Sequence, residues 1–228
     1  MKALLIGCLT LLAIAPAGAQ VGHPPAESPY TDLEYKQELT PLFGYTRART
    51  DPAGILPQSA FMLGLNYEIY LAGPVSFTTS YTHTFSDRTV LDPTRPKATR
   101  VIGTESANVN SLDIGLALAL TGRKSWHKIV PEIRSGIGIM QSGAKDETSG
   151  YKFGTPFAFT FGGGLKFVPG GRFQLRADLA ERLFKQAYPD SYARPAIDNT
   201  AVISESTSRS FYTHHTGLTL GVSYLFGR

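Results

Sequence analysis

From residue 38 to residue 226 the chain places large apolar residues at every second position, in eight segments of ten to sixteen residues. They span 38–47, 60–71, 75–85, 110–120, 129–140, 156–167, 172–183 and 211–226. A period of two is the period of a β-strand, whose successive side chains point to opposite faces. The stretch from Phe173 to Leu179 shows it plainly: Phe173, Leu175, Ala177 and Leu179 alternate with Gln174, Arg176 and Asp178. The connections between segments run long, short, long, short, long, short, long. All long loops must therefore emerge at one end of the sheet. The fold class this predicts is all-β: an eight-stranded antiparallel up-and-down transmembrane β-barrel.

The faces decide whether such a barrel sits in water or in lipid. One face collects bulk: Phe61, Leu63, Leu65, Tyr67 and Ile69 in the second segment, and Leu112, Ile114, Leu116 and Leu118 in the fourth. The other face is small or polar: Ser76, Thr78, Ser80, Thr82 and Thr84 in the third, and Ser111, Asp113, Gly115 and Ala117 in the fourth. A soluble barrel needs bulk inside and long charged side chains outside. Here the small face suits the inside of a narrow tube, and the bulky face suits lipid. About ten residues at roughly 3.3 Å each, tilted about 40°, rise close to 25 Å, the height of a lipid-facing band. Aromatics gather at the ends of the stripes, as interfacial girdles do. The soluble, lipocalin-like barrel is the competing reading.

The start of the chain reads as a leader. Met1-Lys2 precede an apolar run from Leu4 to Ala15 and the residues Pro16-Ala17-Gly18-Ala19. This is the layout of a secretory signal peptide over 1–19. Leu5-Ile6-Gly7-Cys8 resembles a lipoprotein box, but the apolar run before it is too short. Cys8 is the only cysteine, so the mature chain is expected to lack disulfides. Residues 20–37, rich in Pro and polar groups, read as a flexible periplasmic N-terminal segment, and 38–228 as the outer-membrane barrel domain. After the leader no run approaches the roughly 18 apolar residues of a membrane helix, so the near-zero mean hydropathy argues against a helical membrane protein but not against a barrel, whose two faces average away. The charge of +4 calls for no nucleic-acid partner.

With eight strands, alternating loop lengths, the hairpin "VPGGRFQLRADL" and the ending "LTLGVSYLF", the chain resembles the small outer-membrane barrels of the OmpA and OmpX type. The resemblance covers about residues 38–226. It implies insertion by the barrel-assembly machinery, which reads a terminal strand ending in an aromatic. Here Gly227 and Arg228 follow Phe226, a departure from that ending. The peptidoglycan-binding domain carried by OmpA itself has no counterpart in the sequence, so that role is not implied.

Alternation aims eight charged residues into the lumen: Glu68, Asp113, Glu132, Arg134, Lys166, Arg176, Asp178 and Arg182. Four acids meet four bases. Since an eight-stranded interior is just filled by side chains, these read as a structural salt-bridge network that plugs the tube, with a gated ion path or a catalytic site as the alternative. The plug predicts that Glu132 pairs with Arg134, Lys166 or Arg176, and that Glu68 reaches a base across the lumen. Asp113 and Arg182 should lie near the outer mouth. Pro41 and Pro131 suggest bulges or strand ends.

No catalytic, cofactor or metal residues stand out. His83 and His214 both fall on the lipid face of non-neighbouring strands and cannot converge on one nucleophile or metal. Glu181 also falls on that face. Trp126 reads as an interface anchor. In the second long loop Arg88, Arg95, Lys97 and Arg100 are either solubilising charge or contacts for lipopolysaccharide phosphates. The expected protein is a monomer in the outer membrane of a diderm bacterium, in contact with its lipid and lipopolysaccharide. Its expected role is structural or adhesin-like, displaying four mobile loops. A narrow porin-like channel is the second reading and a lipid A-modifying enzyme the third.

Overall fold

The computed structural model describes residues 28–204 and 206–228. The predicted leader and most of the segment after it lie outside the described residues. Eight long strands form the barrel: β1 (Gln37–Ala48), β2 (Ala60–Ala72), β3 (Val75–Thr84), β4 (Val109–Ala119), β5 (Ile129–Ser142), β6 (Phe157–Gly170), β7 (Phe173–Ala187) and β8 (Ser210–Phe226). Each pairs antiparallel with its sequence neighbours, and β8 pairs with β1. The ring is closed, so no barrel strand leaves an unpaired edge. The described residues hold no α-helix; two 3-10 turns, Lys97–Thr99 and Asp190–Ala193, lie in the long loops.

The apolar stripe points outward. Leu65 and Leu175 are 45% and 54% exposed, and Phe61, Leu63, Leu116, Leu118, Phe159 and Leu220 share that exposure. Inward stand Thr40, Asn66, Glu68, Ser111, Asp113, Glu132, Arg176 and Asp178, all buried. Water-exposed apolar surface on this scale has no place in a soluble monomer. Neither proline shifts the register. The β1–β8 ladder skips the pairs around Pro41 and resumes in step, while Pro131 sits where the β4–β5 ladder ends. Register breaks occur instead beside two short turns, between Tyr70 and Ala72 and between Phe167 and Gly170.

Two expectations need correction. From Tyr30 onward the N-terminal segment is not loose: Tyr30–Asp32 pairs with Lys124–Trp126 in the turn between β4 and β5. Arg123 donates to the carbonyls of Leu33 and Tyr35 and stacks on the Tyr70 ring, and Arg228 at the other terminus bonds Glu34. The segment thus straps the short-turn end of the barrel.

The second correction concerns the long loops, which are packed rather than mobile. Ile55, Leu56, Leu91, Ala107, Ala144, Tyr151, Phe153, Tyr188, Tyr192 and Ile203 come from all four loops and bury one another above the barrel rim. Phe184, Met140 and Ala158 join them from β7, β5 and β6. Polar ties lock the pieces together. Asp51 in the first loop accepts from Tyr188 in the fourth at 2.7 Å. Arg100 in the second donates to the carbonyls of Thr200 and Ala201 in the fourth. Ser191 in the fourth donates to the carbonyl of Ser149 in the third. Arg88, fully buried, pairs with Glu105 at 2.6 Å and stacks over Tyr151 of the third loop. Arg88 and Arg100 are therefore internal ties and are not free for phosphate contact.

Burial pushes the phenols of Tyr151, Tyr188 and Tyr192 above their ordinary value near 10. A raised folded-state pKa leaves the contribution intact below about pH 10 and removes it as pH climbs further. The cap should therefore loosen above about pH 10 while the barrel persists. In a titration followed by tyrosinate absorbance, three of the eleven tyrosines should ionise late, in the same step that exposes the long loops to protease. All tyrosines ionising together, with the loops uncut, would contradict the packed cap.

Candidate functional site

The centre of the lumen holds a layer of ion pairs built from strands on opposite walls. On one wall Glu38 of β1 and Glu68 of β2 are direct cross-strand partners. On the other, Lys166 of β6 faces Arg176 of β7. Like charges placed opposite one another repel, so neither pair is favourable on its own wall. Closing the barrel resolves both. Lys166 Nζ lies 3.1, 2.9 and 2.6 Å from Glu38, Glu68 and Glu132. Arg176 fans its guanidinium across four carboxylates: Glu38 at 2.5 Å, Glu68 at 3.1 Å, Glu132 at 3.1 Å and Asp178 at 2.6 Å. Arg134 of β5 adds a 2.6 Å contact to Glu68 and a 3.6 Å contact to Glu132. The Arg176 side chain has no exposed surface at all.

Of the eight residues read from the sequence as lumenal, six lie in this layer: Glu68, Glu132, Arg134, Lys166, Arg176 and Asp178. Asp113 and Arg182 stand apart from it, toward the long-loop end, as a 2.9 Å pair to which Thr160 adds a 2.7 Å hydrogen bond. Glu38 was missed. It shares a face with Thr40, Leu42 and Thr46, so alternation in the first strand points it inward. Its position at the strand's first turn hid it. With Glu38 counted, the lumen holds five carboxylates against four bases rather than the expected balance. Gln174 donates a further hydrogen bond to Glu38.

Small residues make the room. Gly164 of β6 is paired on one side with Glu132 and on the other with Asp178. A Cβ at Gly164 would run into the Asp178 carboxylate and stand 3.0 Å from the Ala177 carbonyl oxygen. The glycine thus lets two acids approach Arg176 from adjacent strands.

The layer separates two cavities. Below it, toward the short turns, lies one of about 220 Å³ lined by Glu38, Glu68, Glu132, Lys166 and the strap residues Thr31 to Lys36. Above it lies one of about 100 Å³ lined by Asn66, Asp113, Arg134, Asp178, Arg182 and His215. Between them stands the guanidinium of Arg176, which has no exposed surface.

The histidines fall as follows. His83 bonds Asn110 on the outward face at 2.8 Å. His214 bonds Glu181 at 2.9 Å, also outward, and Thr216 donates to the other oxygen of that carboxylate. His215 points inward against Phe184. Glu181, read as a lipid-facing anomaly, is thus satisfied by two neighbours on β8. Among the described residues no group of His, Cys, Asp and Glu has a metal-holding arrangement.

No family model and no curated protein matches the chain. Solved structures do. Neisserial surface protein A aligns with a TM-score of 0.54 at 11% identity, over 83% of this chain and 97% of that one. The outer membrane protein OprG from Pseudomonas aeruginosa aligns with a TM-score of 0.51 at 11% identity, over 86% of this chain and 99% of that one. Identity at this level carries the fold alone. The fold is that of the small eight-stranded outer-membrane barrels.

Removing one partner from the layer should be costly, because the others stay buried. Glu132→Ala should lower unfolding stability by roughly 3–5 kcal/mol in urea titrations of vesicle-inserted protein. A loss below about 1 kcal/mol, the worth of an exposed pair, would show the layer to be hydrated and weak.

Proposed function

We propose that the chain works as a surface-display protein of the outer membrane of a diderm bacterium: a barrel closed inside by its ion-pair layer, carrying a rigid, adhesin-like cap. The observation behind this reading is the fully buried Arg176 cluster across the lumen together with a packed cap. A channel needs a continuous path, and a buried Arg176 cluster standing across the lumen disfavours one. An adhesive surface needs a defined shape, and a loop core built from all four loops supplies one at low entropic cost on binding. Outer-membrane lipid, lipopolysaccharide and the barrel-assembly machinery are the surroundings this reading requires, with the barrel acting as a monomer.

The enzyme reading receives no support from the His214 cluster. A Ser- or Thr-based nucleophile must give its proton to the histidine. Here the Thr216 hydroxyl is directed to Glu181 at 2.5 Å instead.

Two measurements test the proposal. In planar bilayers the wild type should show no steady conductance steps, whereas regular ohmic steps would promote the channel. Ile197, at the crown and 85% exposed, gives a marker for display. Cys8, in the predicted leader, is the only cysteine in the sequence, so Ile197→Cys should react with a membrane-impermeant maleimide in intact cells. Labelling only after the outer membrane is ruptured would sink the display reading.

A further inference from the structure

We propose that the outward face of β7, β8 and β1, at its long-loop end, is a binding site for a phosphorylated glycolipid of the lipid A class. The inference rests on the display reading only for which end of the barrel faces outward. It adds the place on the barrel and the groups that hold the lipid.

It starts from where charge lies around the top of the apolar stripe. Phe173, Tyr224 and Leu39 form one cross-strand row at the lower end, and Glu181, Thr216 and Arg47 form another higher up the same three strands. The eight residues from Phe173 to Glu181 rise about 20 Å, and the four more to Lys185 reach about 30 Å. These side chains therefore bracket the upper edge of a lipid-facing band about 25 Å tall. Arg47, Arg49 and Lys185 are all exposed, and none forms an ion pair among the described residues. Tyr212, 62% exposed, is the cross-strand partner of Lys185. The one acid in the patch, Glu181, is already engaged by Thr216 and His214. Three free cations thus stand against one occupied carboxylate. The rest of the circumference differs. From β2 round to β6 the outward positions at this level are Ser59, Phe85, His83, Asn110, Gln141 and Thr155, with no Lys, Arg, Asp or Glu.

A long cation at an apolar boundary lays its stem on the apolar surface and sends its head toward the polar layer. Beneath these heads Tyr45, Leu179, Leu218 and Leu220 offer an apolar wall for acyl chains. Arginine forks hold phosphate oxygens in pairs. Arg47 and Lys185 stand two strands apart, about 10 Å at the spacing of neighbouring strands. That spread suits a broad headgroup with more than one phosphate. A phosphate monoester carries about −1.5 to −2 at neutral pH, whereas a phospholipid presents a single phosphodiester. Charge and width together favour the glycolipid.

Native mass spectrometry of the protein in micelles, titrated with lipid A bearing both phosphates, tests this without reference to orientation. The wild type should retain one lipid A. Arg47→Gln combined with Lys185→Gln should weaken retention about thirtyfold, the effect of two cations lost from an anionic headgroup. Arg49→Gln with Lys185→Gln is the second pair should the first fail to fold. Lys97→Gln, which removes an exposed cation from the crown, should leave retention unchanged. Lipid A stripped of both phosphates, and phosphatidylglycerol, should each bind at least about tenfold more weakly. Retention unchanged in both double variants overturns the proposal, as does an equal loss in Lys97→Gln. Dephosphorylated lipid A binding as well as the intact lipid would reduce the site to acyl-chain contact, and phosphatidylglycerol binding as well would make it a general phosphate surface; either result overturns the assignment.

Discussion

Arg176 holds the barrel interior together. An eight-stranded barrel leaves a lumen that side chains must fill, and this chain fills it with charge. The cost of burying one guanidinium is met by four carboxylates drawn from β1, β2, β5 and β7. The arrangement is cooperative by construction. Glu38 opposite Glu68, and Lys166 opposite Arg176, are repulsive on their own hairpins. Only the closed ring brings the acidic wall to the basic one. The charge pattern therefore favours closure over any open sheet of the same strands, and it fixes which strands must face each other.

Around that layer the usual distribution of a folded chain is inverted and then restored. Within the barrel the large apolar residues point outward and the charges inward, the reverse of a water-soluble protein. Above the rim the order returns to normal, with Tyr151, Phe153, Phe184, Tyr188 and Tyr192 buried in a compact cap. The two regimes meet at β7 and β8, the longest strands, whose upper ends carry Phe184 and His215 into the base of the cap. The strap at the other end lines the lower cavity. Lipid, charge and loop packing thus each stabilise a separate level of one short cylinder.

The strands were legible because a period of two needs no tertiary information. Leu112 to Leu118 points one way and Ser111 to Ala117 the other whatever surrounds them. Seven further strands repeat the signal, and the alternation of loop lengths orders them. The lumenal charges followed from the same parity; Glu38 obeys it too, but it sits where a strand is just beginning. The cap was not legible. Its core residues are single apolar side chains scattered among Pro, Asp and Gly, with no period to reveal a shared face. Arg88 and Arg100 look like solvated loop charge in sequence. Only the meeting of the second loop with the third and fourth makes them internal. The same holds for Tyr30–Asp32, whose partner strand lies some ninety residues away.

The central claim is that the layer is a dry, mutually dependent set of ion pairs spanning the lumen. A double-mutant cycle between Glu68 and Lys166, on β2 and β6, addresses it directly, because the two residues meet only across the interior. Unfolding of the wild type, Glu68→Gln, Lys166→Met and the double variant in lipid vesicles yields the coupling. The account predicts an interaction energy of about 1–3 kcal/mol, beyond the few tenths that independent sites show. Additive effects, with coupling near zero, would mean that water separates the two walls and that charge does not hold the barrel closed.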